Sequence, residues 1–129
     1  AQIAGAYGGV LTAHLMFGAS PFALSRHARA GGAQLWSECV ATFGLLAVVR
    51  GCARHPPTVV PFAVGAYIAA AYWFTASTSF ANPAVTLARA ATDTFSGIRP
   101  TDVPGFVVAQ GCGAAAATLL FRWLLPDER

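Results

Sequence analysis

The chain has 129 residues, of which 56% are hydrophobic and 10% charged, against roughly a quarter charged in an ordinary soluble domain. That balance points towards lipid rather than water as the surrounding solvent. The eight basic residues are all arginine and leave a net charge of +3; spread singly or in pairs between apolar runs, they form no patch for nucleic acid and read instead as interfacial anchors.

The first apolar stretch covers about residues 1–17, and no Asp, Glu, Lys or Arg precedes Arg26. It lacks the charged flank of a signal peptide, so further residues are expected upstream. Residues 18–32 hold Pro21, Arg26, His27, Arg29 and a Gly pair and read as an exposed loop. A second stretch, about 33–49, is interrupted only by Glu38. Arg50, Arg54, His55 and a Pro-Pro break then mark a short turn before a third stretch at about 57–76. The fourth, about 103–125, is broken only by Arg122. A helix crossing the hydrocarbon core needs roughly 17 to 25 apolar residues, so each stretch predicts a span, the second being the narrowest case. Arg26 and Arg29 mark one side, and Arg50, Arg54, Arg122 and Arg129 the other, which favours the Arg50 turn and the C-terminus as cytoplasmic. Gly5 with Gly9, and Ala109 with Gly113, have the spacing that lets membrane helices approach closely.

Chemistry-bearing residues are sparse. Cys39, Cys52 and Cys112 have neither metal-ligand spacing nor a disulfide framework and read as small buried hydrophobes. His14, His27 and His55 fall on separate segments. No catalytic constellation, metal site or cofactor site is expected, so an enzyme is disfavoured. Glu38 is the notable exception, because a carboxylate within a span is costly and marks a functional site by default. The plainer alternative places it near the water interface.

Between the third and fourth stretches the pattern changes. Asn82 is a preferred N-cap and Pro83 suits the first helical position, so a helix should begin there and run to about residue 92. Asp93, Ser96, Gly97 and Pro100 then break it. Some ten residues make a helix of roughly 15 Å, about half the hydrocarbon thickness. Spacing alone allows either a re-entrant half-helix or an interfacial helix lying flat.

The segment Ser79-Phe80-Ala81-Asn82-Pro83-Ala84-Val85-Thr86-Leu87-Ala88-Arg89 resembles the second Asn-Pro-Ala signature of the aquaporin (major intrinsic protein) family, in the bacterial subgroup with Val after the motif. The similar openings Ala1-Gln2-Ile3-Ala4-Gly5-Ala6 and Ala109-Gln110-Gly111-Cys112-Gly113-Ala114 match the family's two inverted repeats. The resemblance covers essentially the whole chain. It implies an all-α membrane protein: part of an aquaporin-like right-handed bundle, with four transmembrane helices and one re-entrant half-helix. The first two spans and the first Asn-Pro-Ala loop would lie outside this sequence.

The resemblance also assigns roles. Asn82, Pro83 and Ala84 would line the pore, with the Asn82 oxygen capping its own helix and its NH₂ facing the solute. The positive ends of two facing half-helices would oppose cations. Glu38 would accept hydrogen bonds from backbone N–H groups of the re-entrant loop. Relatives generally carry Arg directly after the motif, where this chain has Val85; the other constriction positions fall at Ala70 and Ser79. A wider, less polar filter follows. The expected function is a passive channel for water and small uncharged solutes such as glycerol or arsenite-like metalloid hydroxides. A secondary transporter and a non-conducting fragment are the alternatives. The lipid bilayer, a homotetrameric assembly and the bacterial cytoplasmic membrane complete the expectation.

Overall fold

A computed structural model describes residues 1–125; Arg129, one of the orientation markers, lies outside them. The described residues form five α-helices and no strand: α1 (Gln2–Met16), α2 (Gly32–Gly51), α3 (Val59–Phe74), α4 (Pro83–Arg89) and α5 (Val103–Leu124). Single 3-10 turns at Cys52–Arg54 and Pro100–Asp102 extend α2 and precede α5. α2 and α5 make the most extensive helix pair, α3 packs on α2, and α4 sits between α1 and α5.

With their flanking turns, α2 and α5 are long and apolar enough to cross a bilayer. α1 has 15 residues and α3 has 16, fewer than the roughly 20 of a full span. The second apolar run, expected to be the narrowest case, therefore forms one of the longest helices, because Gly32 and Arg50–Gly51 extend it. The third is shortened by the turn through Pro56, Pro57 and Thr58, whose Pro56 carbonyl accepts from Val59 N at 2.9 Å.

α2 and α5 touch through small residues. A side chain at Gly113 would collide with the carbonyl of Cys39 and the amide of Phe43 on α2, so glycine permits this backbone approach. The Gly5 and Gly9 positions of α1, expected to serve similarly, meet nothing within 4 Å.

The distribution of polarity inverts that of a water-soluble protein. Trp73 is 91% exposed, Phe62 80% and Trp123 75%, whereas Glu38, Arg29, Gln110, Thr86 and Ser77 are buried. Apolar side chains outside and hydrogen-bonded polar ones within suit a bundle solvated by lipid. A compact apolar cluster of Phe80, Ile98, Val103 and Phe106 holds the loop before α4 against α5.

Residues 19–31 form a strap rather than a free loop. Ala23 N and Ser25 N donate to the carbonyls of Ala91 and Ala90, and Arg99 N donates to the His27 carbonyl. Arg26 anchors it further, its backbone N and Nε donating to the two oxygens of Asp93 at 2.8 and 3.1 Å. Gly31, with φ of +98°, turns the strap into α2, a conformation that costs glycine little.

Candidate functional site around the Asn82 helix

α4 starts as its residue types dictate. Asn82 is extended (φ −158°, ψ 122°) and its side chain accepts from Ala84 N at 2.8 Å, with Pro83 following at N1. Thr86 Oγ1 donates back to the Asn82 carbonyl at 2.9 Å. The helix closes after Arg89, seven residues long, or roughly 10 Å at 1.5 Å per residue. It is shorter than the span 82–92 expected for it: Ala90 N and Ala91 N bond three residues back, to Leu87 and Ala88, as the chain tightens into a turn.

The approach to Asn82 is backbone-strained. Thr78, Ser79 and Ala81 have φ of +59°, +50° and +47°, a region that L-residues enter only when surroundings over-determine it. Glu38 is one cause. Fully buried on α2, it accepts from Ala81 N at 2.6 Å and Phe80 N at 3.3 Å. Gln110 Nε2 on α5 bridges the same carboxylate (2.8 Å) and Thr86 Oγ1 (2.8 Å). One buried network thus joins α2, α5, the loop and α4, and charge-assisted bonds of this kind are the strong ones.

Arg29, in the strap, supplies a second clamp. Its Nε, Nη1 and Nη2 donate to the carbonyls of Gly97, Ser77 and Phe95 at 2.7, 2.9 and 2.9 Å. Its guanidinium carbon also lies 4.8 Å from the Phe80 ring centre, and that of Arg89 lies 4.3 Å from the same ring. Two cations on one ring next to the Asn82 turn were not foreseen from the sequence, where Arg29 reads as a surface anchor.

An open cavity of about 500 Å³ lies between α1 and α4. Gly9, Val10, Ala13 and His14 form one wall, and Val85 and Arg89 another. Hydroxyls edge it at Thr92, Thr94 and Ser96, linked to one another at 3.1 and 3.0 Å. His14 Nδ1 lies 2.9 Å from the Pro21 carbonyl, which can only accept, so Nδ1 carries the proton; Nε2 meets Thr92 Oγ1 at 2.7 Å.

Over its 129 residues the chain is 57% identical to aquaglyceroporin AqpS of Rhizobium meliloti (strain 1021) and spans 55% of that protein's length. The chain belongs to the aquaporin family. No family model matches it, and no solved structure matches it.

Within this aquaporin chain the residues singled out from the sequence are only partly assembled. Asn82, Pro83, Ala84 and Val85 open one helix, and Glu38 reaches the loop that precedes it. Asn82 Nδ2 points to Gln2 Oε1 at a long 3.4 Å. Ser79 is buried, its Oγ without a hydrogen-bond partner among the described residues. Val85 lines the cavity, whereas Ser79 and the exposed Ala70 of α3 do not. Sequence reasoning missed Arg29, Gln110 and Arg89. The last left a signal: four residues after Val85, it shares that residue's helix face.

Proposed function

We propose that the protein carrying this sequence is a passive channel for water and small uncharged solutes, glycerol and arsenite-like metalloid hydroxides among them. The observation that carries the reading is the Asn82 side chain. Its oxygen is fixed on Ala84 N, so its NH₂, engaged among the described residues only by one long contact to Gln2 Oε1, keeps an N–H to donate to a passing oxygen. Such a donor at the head of a half-helix orients solutes without binding them tightly.

In this reading Asn82, Pro83 and Ala84 line the pore, Ala70, Ser79 and Val85 shape its constriction, and Glu38 supports the loop. No acid–base pair and no ion coupling is required, because all the Glu38 contacts hold structure: two backbone amides and Gln110. A small apolar Val85 leaves room for solutes larger than water. A homotetramer in the bacterial cytoplasmic membrane is part of the proposal, as are spans at about 1–17, 33–49, 57–76 and 103–125.

Stopped-flow light scattering on proteoliposomes tests it, with water, glycerol and arsenite gradients compared for the parent and Val85→Arg. The parent should pass water and at least one larger solute, and Val85→Arg should cut the larger solute's flux while sparing water. A parent passing water alone would refute the widened constriction.

A further inference from the structure

Arg89 is the charged group of the 500 Å³ cavity. It lies one helical turn beyond Val85, and both residues face the same space. No carboxylate among the described residues pairs with it directly. The ion pairs among the described residues are Arg26–Asp93 and Arg99–Asp102, and neither involves Arg89 or Arg29. The nearby carboxylates are otherwise engaged: Asp102 accepts from the Arg29 backbone, and Glu38 from the loop amides and Gln110.

The Phe80 ring fixes where the charge sits. With the Arg89 guanidinium carbon 4.3 Å from the ring centre, the side chain is steered back along α4 towards the Asn82 end instead of extending outwards. Cation–π contact holds the face of the guanidinium, and a side-chain hydrogen bond with Tyr72 takes one of its five N–H donors. Arg29, buried and bonded only to carbonyls through its guanidinium, adds a second positive charge on the same ring. The rest of the wall is apolar apart from hydroxyls and His14, so the field is little screened.

We propose that Arg89 is a specificity-determining residue of this cavity, repelling cations and donating hydrogen bonds to the acceptor oxygens of neutral oxygen-rich solutes. It takes this role one turn from the apolar Val85, so that a wide, uncharged constriction coexists with exclusion of sodium, potassium and hydronium ions. The inference rests on the channel reading above.

The test uses the whole protein carrying this sequence, as parent, Arg89→Gln and Arg89→Lys, in proteoliposomes and planar bilayers. Water permeability, glycerol permeability and sodium or proton leak are read together. Arg89→Gln should raise cation leak roughly tenfold or more, given one unit charge removed at short range in a poorly screened site. Water permeability is read beside the leak to show that the variant still forms an open channel, since the Asn82 donor remains. Arg89→Lys should stay cation-tight but lose glycerol flux relative to water, because a point charge replaces the planar donor fork. If Arg89→Gln conducts water yet stays as cation-tight and as solute-selective as the parent, the role of Arg89 is overturned while the channel stands. A parent impermeable to water overturns both. Should Arg89→Gln fail to insert, the Lys variant decides: an unchanged ratio of glycerol to water flux counts against the proposal.

Discussion

Glu38 Oε1 lies 2.6 Å from Ala81 N, the residue immediately before Asn82, and Ala81 has φ of +47°. A carboxylate on α2 thereby holds the last strained residue before the Asn-Pro-Ala helix. Removing half of its acceptor capacity should release that strain. Glu38→Gln would turn an NH₂ group towards backbone N–H donors, costing about 1–3 kcal/mol for each bond lost or orphaned. Lower thermal stability in detergent and strongly reduced flux are expected, with parent flux independent of any ion gradient. Gradient-dependent flux in the parent would make Glu38 a coupling residue instead.

Arg29 joins the strap to the Ser77 and Phe95–Gly97 segments, which lie 48 to 68 positions away along the chain. Arg29→Met preserves the packing stem but deletes three charge-assisted bonds, each worth about 1.5–3 kcal/mol before desolvation is offset. The strap should loosen, and trypsin should cut after Arg26 faster in the variant than in the parent. Equal cleavage rates would show that Arg26–Asp93 and the backbone bonds suffice.

Gly113 lets α5 approach the backbone of α2. Gly113→Val must push the helices apart, at a cost of about 1–3 kcal/mol for overpacking. The melting temperature in detergent should fall, whereas Gly9→Ala, which meets open space, should leave it nearly unchanged.

The Asp93 carboxyl is held below the usual carboxylate range, first by the Arg26 backbone N–H and next by its guanidinium, against a smaller opposing effect of burial. A carboxylate with a depressed folded-state pKa contributes stability above its unfolded value near 3.9, and loses it as pH falls through the folded value. Docking of the strap should therefore be unchanged from pH 7 to pH 5 and weaken below about pH 4. Hydrogen exchange at the Arg26 amide, corrected for intrinsic rate, reads this directly. Asp93→Asn should expose that amide at pH 7 and flatten its dependence on acid.

The helical class was legible because apolar runs separated by Gly, Pro and Arg clusters leave little else to form in lipid. The start of α4 was legible for a local reason, since Asn82 and Pro83 carry the capping chemistry in adjacent residues. Its end was not. Ala90, Ala91 and Thr92 are acceptable helix residues, and only the strap, bonding to the carbonyls of Ala90 and Ala91, reveals why the chain turns there. Arg29 was illegible for the same reason: an arginine in a polar loop reads as an interfacial anchor, and its acceptors are backbone carbonyls with no residue-type signature. Gln110 appeared only as part of a repeat, although a glutamine within a span deserved pairing with Glu38. Arg89 was missed, although its four-residue spacing from Val85 was enough to place it on the same face of α4.

Water permeability of proteoliposomes holding the protein with this sequence tests the central claim most directly. The account predicts osmotic shrinkage well above that of protein-free vesicles, reduced when Asn82→Asp places a carboxylate where the NH₂ donor stood. Folded, inserted protein with no permeability above empty vesicles would contradict it.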